Sequence, residues 1–99
     1  MLNDLYTLLE KKENFFSIKL ADKHHPVFKA HFPSNPILPG FIMLEIISEV
    51  IDMEITDIKK IKFLNPVLPQ DELSFVFEEN IVIIKKESVK VSQIVFNKI

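Results

Sequence analysis

His31 and Glu45 stand fourteen residues apart at the two ends of the run His31-Phe-Pro-Ser-Asn-Pro-Ile-Leu-Pro-Gly-Phe-Ile-Met-Leu-Glu45. An imidazole titrates at about 6.5 and takes a proton at neutral pH, while a carboxylic acid can give one, so the pair has the side chains that proton-transfer chemistry needs. Between them, Pro33, Pro36 and Pro39 stiffen the backbone, and Gly40, the only glycine of the chain, is its one unrestricted joint. Stiffness of this kind positions something.

The elements that must do the positioning are legible as changes of period. Phe16, Ile18 and Leu20 alternate with Ser17 and Lys19, which predicts a half-buried strand over 14–20. After Gly40, the polar residues Glu45, Ser48, Glu49 and Asp52 fall on one narrow helical stripe, and every other position to Met53 is apolar. Such a helix should be enclosed on most of its circumference. Further strands are expected at 58–64, 72–78, 81–86 and 89–96, the last three joined by tight turns at Glu79-Asn80 and Glu87-Ser88 that lack the usual glycine. Leu2, Leu5, Leu8 and Leu9, with Asn3 or Asp4 as cap, predict a short surface helix over 2–10. The connection from Lys23 to Pro39, with four prolines, is long for a plain loop, and loops of that length tend to be functional. The sum is one α+β domain over 1–99, an antiparallel sheet wrapped around one long helix, in the element order of the hotdog fold.

Composition narrows the function classes. All twelve basic side chains are lysine, so there is no guanidinium fork for phosphate, and a net charge of −2 with interspersed signs gives no case for nucleic acid. Cysteine is absent, which excludes disulfides and thiolate metal sites. The beginning of the chain has neither the basic region nor the cleavage site of a secretory signal, and apolar runs such as Phe41 to Leu44 are far shorter than a membrane span, so a cytoplasmic protein is expected. At 47% hydrophobic residues with nine Phe, the chain carries more apolar material than a small sphere needs, which favours a subunit interface.

The segment Phe28-Lys-Ala-His-Phe-Pro-Ser-Asn-Pro-Ile-Leu-Pro-Gly-Phe-Ile-Met-Leu-Glu45 resembles the active-site segment of the 3-hydroxyacyl-acyl-carrier-protein dehydratases of bacterial fatty-acid synthesis. A second block, Ile61-Lys-Phe-Leu-Asn-Pro-Val-Leu-Pro-Gln-Asp-Glu-Leu73, is similar to the strand, proline turn and following strand of the same family. The resemblance implies reversible dehydration of a (3R)-3-hydroxyacyl thioester to the trans-2-enoyl thioester, in fatty-acid synthesis or related polyketide or aryl-polyene pathways. It assigns His31 as catalytic base and Glu45 as catalytic acid. It makes Gly40 the helix-start residue whose amide meets the thioester carbonyl, with Phe41, Phe32 and Pro39 as further substrate-binding positions. Neither metal nor dissociable cofactor is expected, since the thioester itself acidifies the α-carbon. The substrate would ride on the phosphopantetheine of an acyl carrier protein, and the site would be shared by two chains, a homodimer first and a hetero-dimer with a paralogue second.

The chain departs from that pattern at several positions. Ala30 replaces a glycine before His-Phe-Pro, Glu49 replaces a glutamine one turn after the acid, and Gln70 replaces a turn glycine. It is shorter than typical members and is expected to lack their N-terminal strand. Two rival functions follow: a non-catalytic hotdog subunit that binds an acyl chain or carrier protein beside an active paralogue, and an acyl thioesterase using the helix carboxylate. Other features have plainer readings. His24, His25 and His31 could suggest zinc, but neighbours in an extended segment point to opposite faces. Met43 and Met53 read as core filler. Lys23, Lys29, Lys59, Lys60 and Lys62 are solvated faces or a basic rim for an acidic carrier, and Phe15 and Phe28 are acyl-pocket or core residues.

Overall fold

The computed structural model describes residues 2–30 and 34–97. Alternating apolar residues build the sheet: β1 (Tyr6–Lys12), β2 (Phe15–Leu20), β3 (Ile58–Phe63), β4 (Glu72–Glu78), β5 (Ile81–Lys86) and β6 (Val89–Phe96). They form one six-stranded antiparallel sheet in the order β1-β2-β4-β5-β6-β3. Two helices, α1 (Pro26–Ala30) and α2 (Gly40–Ile51), complete the described elements. Phe16, Ile18 and Leu20 of β2 are buried as the alternation requires, and so are Leu73 and Phe75 of β4 and Val82 and Ile84 of β5. Phe16 lies opposite Phe75 in the ladder, and their rings stack at 4.3 Å between centroids. Ile42, Met43, Ile46 and Ile47 of α2 enter the same cluster, so the helix and the inner face of the sheet share one core. This is the hotdog arrangement expected from the element order.

Three expectations are corrected. Residues 2–10 do not form a helix: Asp4 turns the chain at φ 60°, and Tyr6–Lys12 pairs antiparallel with β2. The leucine spacing misleads because just one of the four closes the core fully; Leu5 is buried while Leu8 and Leu9 stay about half exposed. The N-terminal strand is therefore present. The helix α2 is also less enclosed than its composition suggests. Its inner face is buried, whereas Phe41 is 49% exposed and Glu45 and Glu49 lie in solvent.

The long connection contains an element that its prolines conceal. Pro26 opens α1 at the position where a missing N–H costs nothing, and Val27 and Phe28 pack into the core, which decides Phe28 for core rather than acyl pocket. Both glycine-free hairpin turns form, with Glu79 and Glu87 at φ 53° and 57°, and Gln70 takes φ 67°, a left-handed conformation that favours glycine.

Candidate functional site

The site is anchored by the two proline-rich blocks holding each other. The Leu38 N–H donates to the Val67 carbonyl at 2.8 Å, and Leu38 and Val67 are both buried, so the approach to α2 is fastened to the turn after β3. That turn is itself pinned. Leu64 and Asn65 donate to the Val91 carbonyl, Gln70 donates to that of Ala21, and the Asp71 carboxylate accepts from the Leu68 N–H at 2.8 Å. Pro39 then sits in extended conformation as the N-cap residue, without a side-chain cap, and Gly40 is the first helical residue. The amides opening a helix carry partial positive charge, which suits an oxygen that becomes negative.

Gly40 does not use the left-handed freedom that makes glycine special, since no glycine here has positive φ. What it provides is space. A Cβ at this position would lie 2.3 Å from Cζ of Phe63, whose ring covers the start of α2. Gly40, Ile37, Met43, Phe63, Leu64 and Pro66 line an open, mainly apolar groove of about 300 Å³. Phe41, Phe63 and Leu64 are each about half exposed beside it.

Glu45 lies elsewhere on the helix. With Leu44, Ser48, Glu49, Glu54 and Ile55 it borders a second, shallow depression of about 430 Å³. Within one chain Gly40 thus lines the first groove and Glu45 the second, while the exposed Phe41 lies one turn before Glu45 on the same face of α2. His31 and Phe32 lie outside the described residues. Glu45 has no hydrogen-bond or ionic partner among the described residues, whereas Glu49 accepts a hydrogen bond from the Tyr6 hydroxyl.

Tyr6 was not a sequence candidate, because residues 2–10 read as a surface helix; alternation with the buried Leu5 was the one available signal. Its hydroxyl pKa is driven well above the ordinary phenol value of 10.0, first by burial, then by the bond to Glu49 and the charge of that carboxylate. The folded chain thus keeps the phenol protonated where the unfolded chain releases it. The stabilisation is complete below about pH 10 and is lost as the pH rises further. Tyr6→Phe will cost about 1 kcal/mol at neutral pH and remove part of the alkaline loss of stability, measured by urea unfolding from pH 7 upward.

The other histidines have local partners. Val27 N–H donates to His25 Nδ1 at 3.1 Å, so Nε2 carries the proton and donates to the Asn3 carbonyl at 2.7 Å. His24 Nδ1 lies 3.3 Å from Asp22, and the His24 backbone N–H is the main reason the Asp22 carboxyl is held below its usual range. No group of three metal-ligating side chains occurs among the described residues, and no described helix is long and apolar enough to cross a membrane.

A family model described as ApeI-like, ApeI dehydratase, matches residues 9–95, a span that contains β2, both helices and the later strands up to Val95. The chain belongs to the ApeI-like dehydratase family. Its relatives include the 3-hydroxyacyl-[acyl-carrier-protein] dehydratase FabZ of Ehrlichia chaffeensis, 32% identical over 91% of this chain and 69% of that protein. Another is the enzyme of the same name from Caldanaerobacter subterraneus subsp. tengcongensis, 31% identical over 63% of this chain. The ApeI-like chain spans 44% of the length of that second relative. Among solved structures, the dehydratase heterocomplex ApeI:P from Xenorhabdus doucetiae superposes with a TM-score of 0.69, at 19% identity over 91% of both chains, which shows the shared fold.

Proposed function

We propose that this chain is a dehydratase subunit converting a (3R)-3-hydroxyacyl thioester, carried on the phosphopantetheine of an acyl carrier protein, to the trans-2-enoyl thioester and water. The observation that carries the proposal is the family match over 9–95, which takes in His31, Gly40 and Glu45 together. His31 removes the proton α to the thioester, the electron pair forms the C2–C3 double bond, and the C3–O bond breaks as Glu45 protonates the leaving hydroxyl. Return of the proton from His31 to Glu45 through solvent resets the pair, so no metal or dissociable cofactor is required. In this reading, negative charge gathering on the thioester oxygen is met by the amides that open α2 at Gly40 and Phe41, and Pro39 and Phe32 are further substrate-binding positions.

In this reading a second chain completes the site, so that base and acid face each other across an interface; within one chain Gly40 and Glu45 line separate depressions. The partner is a second copy or a related chain, as the ApeI:P heterocomplex illustrates for its own family members. The same separation favours, as second reading, a non-catalytic subunit that lends its surface to an active paralogue. Incubating the concentrated purified chain with a 3-hydroxyacyl-carrier substrate and following enoyl absorbance tests the proposal. Enoyl product is expected; release of free thiol would make the chain a thioesterase, and an inert substrate would leave the subunit reading.

A further inference from the structure

His25 is held through both ring nitrogens. Its Nδ1 accepts the Val27 N–H at 3.1 Å, and its Nε2 donates to the Asn3 carbonyl at 2.7 Å. The residue also stands directly before α1, and its own carbonyl accepts from the N–H groups of Phe28 and Lys29 at 3.0 and 3.1 Å. Backbone and ring together make His25 the N-cap of α1, with a ring nitrogen in the place usually taken by a Ser or Asp oxygen. A hydroxyl or carboxylate oxygen accepts throughout the neutral range, whereas an imidazole nitrogen accepts only while it is unprotonated.

The helix depends on that cap. Five residues are too few to hold a helix in water unaided. What holds α1 is the burial of Val27 and Phe28 together with the bonds at its first turn, and the Asn3 carbonyl adds a tie to the segment before β1. A proton on Nδ1 would turn the acceptor into a donor facing the Val27 N–H, and would set a positive charge at the positive end of the helix. Both effects unfasten the first turn. The titratable side chains of the segments that meet at the ring are Asp4, Asp22, Lys23, His24 and Lys29. None of them is a hydrogen-bond or ionic partner of the His25 ring among the described residues, and Asp22 is engaged by the backbone N–H and ring of His24.

The last residue of α1 is Ala30, and the next in the chain is His31. One peptide bond separates the capped helix from the side chain read as the base. We propose that His25 is a positioning residue for that base: its neutral ring fastens α1, and protonation of the ring releases the helix and takes His31 out of place. The proposal rests on the reading of His31 as general base. It makes the chain respond to two histidine protonations where the chemistry alone asks for one.

Two variants separate this role from a plain structural contact. Asparagine is a favoured N-cap residue and offers Val27 an oxygen whose charge does not change with pH, so His25→Asn keeps the cap and removes its titration. His24→Asn is the control, because the His24 ring faces Asp22. Across about pH 5 to 8, where histidine changes charge, the kcat/KM of the wild type and of His24→Asn should fall on the acid side one proton more steeply than that of His25→Asn, a further tenfold per pH unit. Equal acid limbs in the wild type and His25→Asn overturn the proposal, and so does an acid limb flattened equally in His24→Asn.

A second readout needs no substrate. The ring C–H signals of His31, assigned by their loss in His31→Ala, should show two inflections with pH in the wild type, one of them shared with the Val27 amide, and a single inflection in His25→Asn. A His31 signal blind to the titration of His25 overturns the proposal whatever the turnover. Coupled signals in a chain that dehydrates no 3-hydroxyacyl thioester would uphold the fastening and sink the dehydration reading instead, so the two failures are distinguishable.

Discussion

His31→Ala will lower enoyl formation by about two to four orders of magnitude, the usual worth of a positioned general acid or base. The α-proton of a thioester is only weakly acidic, so the base must be unprotonated at the working pH and still basic enough to take the proton. Imidazole, at about 6.5, meets both conditions, and a carboxylate near 4 is too weak a base. The turnover of the wild type should therefore rise with pH as the base loses its proton, and that rise should be missing from the residual rate of the variant. An unchanged melting midpoint will show that the loss is chemical. Equal progress curves for wild type and variant would remove His31 from the mechanism.

Glu45→Gln will reduce turnover by about 10²-fold or more, while Glu49→Gln will change it by less than about threefold. The two carboxylates stand one helical turn apart and are alike in type, but their surroundings differ. Glu49 is tied to β1 through the Tyr6 hydroxyl, whereas Glu45 has no partner among the described residues and is open to a substrate or a second chain. Glutamine at 49 retains an oxygen that accepts from Tyr6, so the expected cost is about 1 kcal/mol of stability from the weaker, uncharged acceptor. Glutamine at 45 keeps size and polarity and removes the transferable proton. Turnover lost at 49 and kept at 45 would exchange the two roles.

The central strands and α2 were legible because their burial is one-sided and periodic. Alternation at Phe16, Ile18 and Leu20 survives in the folded sheet, and the polar stripe from Glu45 to Asp52 reports the outer face of α2. The failures have equally local causes. In β1, leucines at helical intervals outweighed the fact that β2 needs a neighbour on its outer side, a requirement visible only once strands are paired. In α1, proline before a short apolar group hid five helical residues. The Tyr6–Glu49 contact joins segments far apart in sequence and could not be seen without β1 in place. The proposed proton carriers His31 and Glu45 were legible from residue types and spacing, while the placement of Gly40 and Glu45 in separate depressions is visible only in three dimensions.

Gly40 and Phe63 offer a different kind of consequence. The glycine holds an ordinary helical conformation, and what it provides is the volume that the Phe63 ring fills. The two positions are thus coupled: while an aromatic ring occupies 63, alanine at 40 would push that exposed ring aside, and once 63 becomes small the space is open. Homologous lineages should therefore carry a side chain at 40 chiefly where position 63 is small.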